Sequence, residues 1–357
     1  MRAWDESEAA IRRAAERRAE AQSDALDDLA ATGIDLDPLG TAAPDDPEHP
    51  GGPDHPHAHR HPHAHAAPGG RPITGIVGAG PVGLALGVAL SRAGWPVQAI
   101  ASRDAGRRAR FRELVPGVRA FAEAAALVDD VELVILAVPD DVVAGLAGSL
   151  RLYAGQALVH TSGLLGAEAI APAMAAGTQA GAFHPLVAFA DLERAVAALR
   201  GATVAIEGDD DLVVHLGEMA EAIGGVPVRL PPGSKVAYHA AAVLAAGGVD
   251  ALLDTIREVA AVMGLEEAGA LRIYLPLLEQ TVANARALGI GPALTGPTTR
   301  GDAGTIAAHV AALEAGAPGA LPVYRALVGR GIAIATERGA LSPEATERLR
   351  TALADPR

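Results

Sequence analysis

Hydrophobic positions between residues 73 and 230 fall into short β-branched runs, separated by longer stretches with helical spacing. This alternation is typical of βαβ units and a parallel sheet. The predicted strands are 73–77, 97–101, 131–138, 156–160, 179–184, 202–206 and 226–230. The predicted helices are 81–94, 104–113, 139–150, 164–176 and 210–224. The pattern therefore predicts an α/β Rossmann-type domain with a parallel sheet.

The two ends of the chain have different patterns. After Pro231-Pro232-Gly233, Ala- and Leu-rich helical spacing runs nearly to the end, so we predict a Rossmann-type domain at 73–232 and an all-helical domain at 233–357. Residues 1–72 carry 7 Arg against 14 Asp or Glu and end in a stretch rich in Pro, Gly and His. Such a composition cannot bury a core, so we expect a disordered acidic tail.

Composition narrows the possible partners. The formal net charge of −14 repels phosphate backbones and anionic membrane surfaces, so we expect neither nucleic acid nor membrane as a partner. The chain has no cysteine, which excludes disulfides and thiolate metal sites and gives no support for an oxidising compartment. We see no signal-peptide core and no membrane-length apolar run, and therefore expect a soluble, cytoplasmic protein.

Seven of the 12 histidines lie between residues 49 and 65. Alternating histidines in a flexible segment could bind Ni²⁺ or Zn²⁺, whereas a linker of biased composition needs no metal. We predict no metal site.

A glycine-rich sequence follows the first predicted strand directly. It is Gly78-Ala79-Gly80-Pro81-Val82-Gly83, a G-x-G-x-x-G that opens a helix. Glycines here allow a tight turn and close approach of a pyrophosphate, which the helix N-terminus then binds. The motif predicts a dinucleotide site, and a structural turn is the alternative.

The end of the second strand indicates which dinucleotide binds. An NAD site usually has an acidic residue about 20 positions after the glycines, whereas this chain has Ser102-Arg103. A hydroxyl and a guanidinium suit a 2′-phosphate, so NADP is predicted in preference to NAD. If the strand ended later, Asp104 could bind the ribose and reverse this preference. Val138-Pro139 ends the next predicted strand and is expected to line the cofactor cleft.

Lys235 is the only lysine, beside 28 arginines. Arginine cannot release a proton in the relevant pH range, so a lysine retained here indicates a titratable acid. His239 lies four residues later, on the same face of the predicted helix. Together they suit proton transfer to an oxygen or nitrogen that receives a hydride at its carbon. A surface lysine and a buried core histidine are the alternatives.

Other polar residues follow strands at the same predicted sheet edge. Thr161 and Ser162 follow one strand and His184 ends the next, so we expect them to face the substrate or nicotinamide. In the helical part, Asn284, Thr295 and Arg300 are candidate substrate residues. Arg300 could bind a carboxylate or instead pair with Asp302 in a structural loop.

At these residues the chain resembles Rossmann-like proteins whose C-terminal domain of unknown function is related to the 6-phosphogluconate and β-hydroxyacid dehydrogenases. The resemblance covers about residues 73–315. The stretches that carry it are GAGPVG, AVPD, HTSG, FHPL, SKVAYHAAAV and ALTGPTTRGD.

The resemblance implies residue roles and an assembly. In β-hydroxyacid dehydrogenases and ketopantoate reductases, a catalytic lysine is followed four residues later by asparagine; Lys235 matches the lysine, and His239 replaces the asparagine. Prephenate dehydrogenases have a His-Pro pair whose histidine contacts the substrate hydroxyl, and His184-Pro185 is similar. The family implies a homodimer through the helical domain, with the active site between the domains.

Three functions remain open at this point. The first is an NADP-dependent oxidoreductase that acts on a small carboxylate-bearing keto or hydroxy acid. The second keeps the fold but reduces an imine, as relatives of pyrroline-5-carboxylate reductase do. The third is a regulatory protein that binds NADP(H) without turnover.

Overall fold

The computed structural model describes residues 70–170, 178–231 and 233–354. These residues divide into two compact units, the first ending at Ala242 and the second beginning at Val243. This division lies inside a helix, ten residues after the predicted start of the helical domain, because the beginning of that helix packs with the sheet unit. Most of the predicted tail, 1–72, lies outside the described residues.

The first unit is built on an eight-stranded sheet, which confirms the predicted Rossmann-type α/β class. Its strands are β1 Thr74–Val77, β2 Val97–Ala101, β3 Arg119–Phe121, β4 Leu133–Leu136, β5 Ala157–His160, β6 Gln179–Pro185, β7 Thr203–Gly208 and β8 Val226–Arg229. Their order across the sheet is β3-β2-β1-β4-β5-β6-β7-β8. The order reverses direction at β1, next to β4, which is where open α/β sheets bind ligands.

The sheet departs from the prediction at β7. Strands β1 to β6 are parallel, whereas β7 runs antiparallel to β6, and β8 is parallel to β7. The reason is the connection between residues 186 and 202. It begins and ends at the same sheet edge, where Leu186 N–H donates to the carbonyl of Thr203 at 2.8 Å.

Helices cover both sheet faces. They are α1 Pro81–Arg92, α2 Ala105–Leu114, α3 Ala125–Val128, α4 Asp140–Ser149, α5 Leu192–Ala198 and α6 Asp210–Ala222, with a short 3₁₀ turn at Ala167–Ile170. Neighbouring strand residues belong to different core clusters, Ile135 to one and Val134 and Leu136 to the other. Side chains of a strand alternate between faces, so the unit has an apolar core on each side of the sheet.

The second unit is helical. Helix α7 Lys235–Ala245 crosses the division between the units, and the second unit continues with α8 Gly247–Ala261, α9 Glu267–Leu288, α10 Ile290–Ala293, α11 Pro297–Arg300, α12 Ala303–Gly316, α13 Leu321–Glu337 and α14 Pro343–Leu353. Its core lies among α12, α13 and α14, where Ile306, Ile332 and Leu349 are almost fully buried.

One stretch of the described chain, Lys235–Ala261, is long and apolar enough to cross a membrane by length and composition alone, with a mean hydropathy of 1.5. No membrane-length stretch was predicted from the sequence, because no uninterrupted run of apolar residues approaches the roughly 18 that a membrane span needs. The helix is broken at Ala246, whose φ and ψ are −110° and −86°, and Lys235 at its start is buried.

Candidate active site

The glycine loop has the geometry of a phosphate cradle. Gly78 has a φ of +107°, and a Cβ added there would lie 2.1 Å from the carbonyl oxygen of Ala137. A Cβ on Gly83 would lie 1.9 Å from the carbonyl oxygen of Gly78. In contrast, a Cβ on Gly80 would point into open space. The outer glycines are therefore required by packing, and the middle one leaves room for a ligand to approach the backbone.

Helix α1 begins at this loop. Gly80 is its N-cap and provides no side-chain hydrogen bond, so the N–H groups of the first turn remain for a ligand. Pro81 occupies the first helical position, and Val82 packs partly against the core. Val138 Cγ1 lies 3.2 Å from the position of a Cβ on Gly78, so the Val138-Pro139 turn borders the loop. These residues fit the pyrophosphate of a dinucleotide.

Asp104 lies beyond the end of β2 and caps the helix that follows. The strand ends at Ala101, and the Asp104 carboxylate accepts a hydrogen bond of 2.9 Å from the N–H of Arg107, which caps α2. This hydrogen bond lowers the pKa of Asp104. The Asp104 carboxylate therefore caps α2, whereas the Arg103 side chain, next to Ser102, is exposed to solvent.

Lys235 is 4% exposed, and its Nζ donates a hydrogen bond of 2.8 Å to the carbonyl oxygen of Ser162. Burial lowers the pKa of Lys235, because an ammonium loses hydration there, while the nearby carboxylates of Glu207, Asp140 and Glu168 oppose this shift. The single lysine of the chain is therefore a buried, partnered amine at the sheet edge and not a surface lysine.

Lys235 reaches this position because α7 begins there. Gly233 adopts a φ of +78°, and the Ser234 hydroxyl donates to the carbonyl of Pro231 at 2.7 Å. The carbonyl of Ser234 accepts the first helical bond, from Tyr238 N–H, at 2.9 Å. Ser234 thus directly precedes the helix, and its hydroxyl holds the preceding turn.

The predicted substrate hydroxyls are used within the loop after β5. The Ser162 hydroxyl accepts hydrogen bonds from the N–H groups of Leu164 and Leu165, at 3.1 and 2.9 Å. The Thr161 hydroxyl donates to the carbonyl of Leu136 at 3.4 Å. In this structure, the contribution of Ser162 to the site is its carbonyl oxygen.

Two histidines and a tyrosine lie beside Lys235. His184 Nδ1 is 3.1 Å from the hydroxyl of Tyr238, and the His184 and His239 rings meet edge to face with centroids 5.9 Å apart. Burial lowers the pKa of His184 to about 4, with smaller contributions from Lys235 and His239. Burial raises the pKa of Tyr238 to about 12. Near neutral pH, both groups are therefore uncharged hydrogen-bonding partners.

Gly163 is the point where these groups converge. A Cβ added there would lie 2.5 Å from His239 Nδ1 and 2.7 Å from His184 Nε2. His239 Nδ1 is buried without a hydrogen-bond partner among the described residues. A buried ring nitrogen without a partner is costly whether it would donate or accept, so this nitrogen is available to a bound ligand.

The predicted substrate residues of the helical part belong to the second unit. Asn284 in α9, Thr295 before α11 and Arg300 at the end of α11 are all exposed. Asp302 caps α12 by accepting from Thr305 N–H and Oγ1 at 3.0 and 2.6 Å.

Among residues 70–170, 178–231 and 233–354, no group of three or more His, Asp or Glu side chains is arranged to hold a metal ion. The histidine-rich segment of the predicted tail lies outside these residues.

Two families match the chain. The Rossmann-like domain family matches residues 62–185, and DUF2520, a domain of unknown function, matches residues 202–330. The chain contains a Rossmann-like domain followed by a DUF2520 domain. The Rossmann-like match contains the glycine loop and His184, whereas the DUF2520 match contains Lys235, Tyr238 and His239. The candidate site thus combines residues from both domains.

Solved structures share the fold of this Rossmann-like/DUF2520 chain. Protein TM1727 from Thermotoga maritima is 26% identical, with a TM-score of 0.58, and the match covers 75% of this chain and 100% of that protein. Protein BF3122 from Bacteroides fragilis, described as a proposed NADP oxidoreductase, is 22% identical, with a TM-score of 0.60 and coverage of 72% and 96%. The 1-pyrroline-5-carboxylate reductase from Streptococcus pyogenes is 16% identical, with a TM-score of 0.53 and coverage of 74% and 98%. No curated protein sequence matches the chain.

Sequence reasoning gave no role to three residues of this site. Tyr238 lies three residues after Lys235, a spacing that places both on one helix face. His160 was noted only as the end of a strand, although its ring bonds to the loop beside Lys235. Glu207 lies opposite Ala182 of β6, which in turn lies opposite His160. That pairing across β6 could not be read from local sequence.

Proposed function

We propose that the protein is an NADP(H)-dependent oxidoreductase that acts on a small carboxylate-bearing keto or hydroxy acid. The observation that carries this proposal is the buried amine of Lys235, held by the Ser162 carbonyl beside two histidines. It lies in the unit whose sheet also carries the glycine loop. A surface lysine or a purely structural turn would require neither the burial nor this neighbourhood.

Lys235 is the proposed acid and base. NADPH, when bound at the glycine loop, would supply the hydride. In reduction, the Lys235 ammonium donates a proton to the substrate oxygen as negative charge develops there, and in oxidation the neutral amine removes it. Because burial lowers the pKa of Lys235, the two protonation states lie closer in free energy near neutral pH than they do for an exposed lysine.

His184 and His239 are proposed to orient the substrate. With a pKa of about 4, His184 is neutral near pH 7 and can form hydrogen bonds to the substrate. Its Nδ1 already contacts the Tyr238 hydroxyl, which leaves Nε2 for the substrate. His239 would offer a ring nitrogen to the substrate. Arg300 is the proposed partner of the substrate carboxylate, with Thr295 and Asn284 as further polar contacts, because all three are exposed.

NADP specificity is proposed to depend on Ser102 and Arg103. Replacing Arg103 with alanine should weaken NADPH binding about 10- to 100-fold, since a charge-assisted contact to the 2′-phosphate is lost. Binding of NADH, which lacks that phosphate, should change less than about threefold. Calorimetric titration of both nucleotides measures this, with Arg112→Ala as the control because Arg112 is an exposed arginine in the last turn of α2, away from Ser102 and Arg103. Equal losses for NADPH and NADH would refute the role of Arg103.

An imine is the second candidate substrate, favoured by the carboxylates around Lys235. Glu207, Asp140 and Glu168 all act electrostatically on the Lys235 amine. Such surroundings suit a cationic iminium better than another carboxylate. The fold shared with a pyrroline-5-carboxylate reductase is compatible with this chemistry. Product analysis after incubation with 2-keto acids, 3-keto acids and cyclic imines separates the two substrates.

A second copy of this chain is the proposed macromolecular partner, with the cytoplasm as the proposed location. The second unit exposes many large apolar side chains, among them Leu244 at 73%, Ile290 at 72% and Leu277 at 59%. Apolar surface of this kind is typical of an interface between subunits. Sedimentation of the full chain should give a dimer at micromolar concentration, and Leu244→Glu with Leu277→Glu should give a monomer. A wild-type monomer would contradict the proposal.

A further inference from the structure

His160 is fully buried at the end of β5, and both of its ring nitrogens bond to the loop that follows. Ser162 N–H donates to His160 Nδ1 at 3.3 Å, and His160 Nε2 lies 3.0 Å from the carbonyl oxygen of Gly166. Since Nδ1 accepts, the proton of the neutral ring is on Nε2, which donates to Gly166. Burial lowers the pKa of His160, which keeps the ring in this neutral form.

The ring thereby anchors Ser162, the residue whose carbonyl oxygen accepts from Lys235. The peptide N–H of Ser162 is held by His160 Nδ1, and the hydroxyl of Ser162 is held by Leu164 and Leu165. The far end of the loop is fixed by Glu207, which accepts from Ala167 N–H at 3.1 Å. With these anchors in place, the Ser162 carbonyl lies 2.8 Å from Lys235 Nζ.

We propose that His160 is a positioning residue for Lys235 and acts through the Ser162 carbonyl. A carbonyl that accepts from an ammonium stabilises its charged form, so this contact offsets part of the effect of burial on Lys235. Without the His160 acceptor, the Ser162 N–H needs another partner. Because the Ser162 carbonyl belongs to the next peptide unit of the same residue, rotation of the Ser162 backbone also moves that carbonyl away from Lys235. The importance of this position rests on the proposed role of Lys235 in catalysis, whereas the contact itself can be measured without a substrate.

Two amide side chains separate the functions of the ring nitrogens. In His160→Asn, the amide oxygen takes the place of Nδ1 and can still accept from Ser162 N–H. In His160→Gln, the longer side chain places its NH₂ group near Nε2, keeping the donor to Gly166 but losing the Nδ1 acceptor. Both variants remove an imidazole from the same buried position, so each controls for the other.

The single lysine allows a direct readout. Isotope-labelled lysine in the full chain without a lysine-containing tag gives one side-chain NMR signal, which is titrated with pH. In His160→Gln, the Lys235 signal should titrate at lower pH than in the wild type, with about a threefold or larger neutral fraction at pH 7. In His160→Asn, the titration should match the wild type. Thermal unfolding of both variants shows whether each remains folded.

Two results would overturn the proposal: titration of both variants as in the wild type, or equal shifts in both accompanied by equal losses of thermal stability. The second pattern would mean that His160 only holds the fold together. Failure of the proposed function is distinguishable, because it appears as absent turnover in the wild type while the lysine signal still responds to His160→Gln.

Discussion

Replacing Lys235 with arginine should lower kcat by about 100- to 10,000-fold, the range expected when a general acid is lost. Arginine keeps the positive charge but cannot release the proton at neutral pH. Binding of NADPH should remain within about threefold, because the glycine loop is unchanged. Steady-state kinetics on the substrate that the wild type turns over, with calorimetry of NADPH binding, measures both quantities.

The larger guanidinium could also disturb packing, since Lys235 is buried. Lys235→Met, which has a similar length and no charge, is therefore the companion variant, and it should be equally inactive and well folded. Added methylamine should restore part of the activity of Lys235→Ala if the missing function is proton transfer. A Lys235→Arg enzyme with wild-type kcat would remove Lys235 from the mechanism.

Replacing Gly163 with alanine should lower kcat by about 100-fold, because a shift of roughly 1 Å at a reacting centre has that effect. The new methyl group would lie 2.5 Å from His239 Nδ1 and 2.7 Å from His184 Nε2, so both rings must move. Gly163 does not have a positive φ, so the effect comes from space and not from backbone strain. Kinetics and a crystal structure of the variant measure the loss and its cause.

Gly145→Ala is the matched control for Gly163→Ala. Gly145 lies inside α4, and a Cβ there would point into open space. Alanine should therefore leave kcat unchanged and stabilise the protein by about 0.5–1 kcal/mol, since it favours the helix. Unchanged kcat in Gly163→Ala would mean that His184 and His239 do not need their present positions.

The sheet and the glycine loop could be predicted because their signals are local. Apolar runs located most strands, and the spacing of Gly78, Gly80 and Gly83 identified the loop. The missed strand β3, Arg119–Phe121, has three residues, of which the first two are exposed, so it carries no hydrophobic pattern. The direction of β7 was also missed, because it depends on where a 17-residue connection returns to the sheet and not on the strand's own residues.

The site could be predicted only as separate residues. Composition alone singled out Lys235, but its acceptor, Ser162, lies 73 positions earlier in the chain. Ser162 was predicted to face the substrate or nicotinamide. Its contact with Lys235 could not be predicted, because it uses the backbone carbonyl, which every residue type has. Tyr238 was overlooked for a similar reason, because its hydroxyl contacts His184, which lies 54 positions earlier. His160 was overlooked because its ring binds backbone groups of the loop that follows it, and the conformation of that loop could not be read from the sequence.

Transfer of deuterium from labelled NADPH tests the central claim most directly. The full chain is incubated with NADPH that carries deuterium at the transferable position, together with pooled 2-keto acids, 3-keto acids and cyclic imines, and the products are analysed by mass spectrometry. We predict that one class of compound gains a single deuterium with the wild type and none with Lys235→Arg. Tight binding of NADPH with no deuterium in any product would contradict an oxidoreductase and favour a protein that binds NADP(H) without turnover.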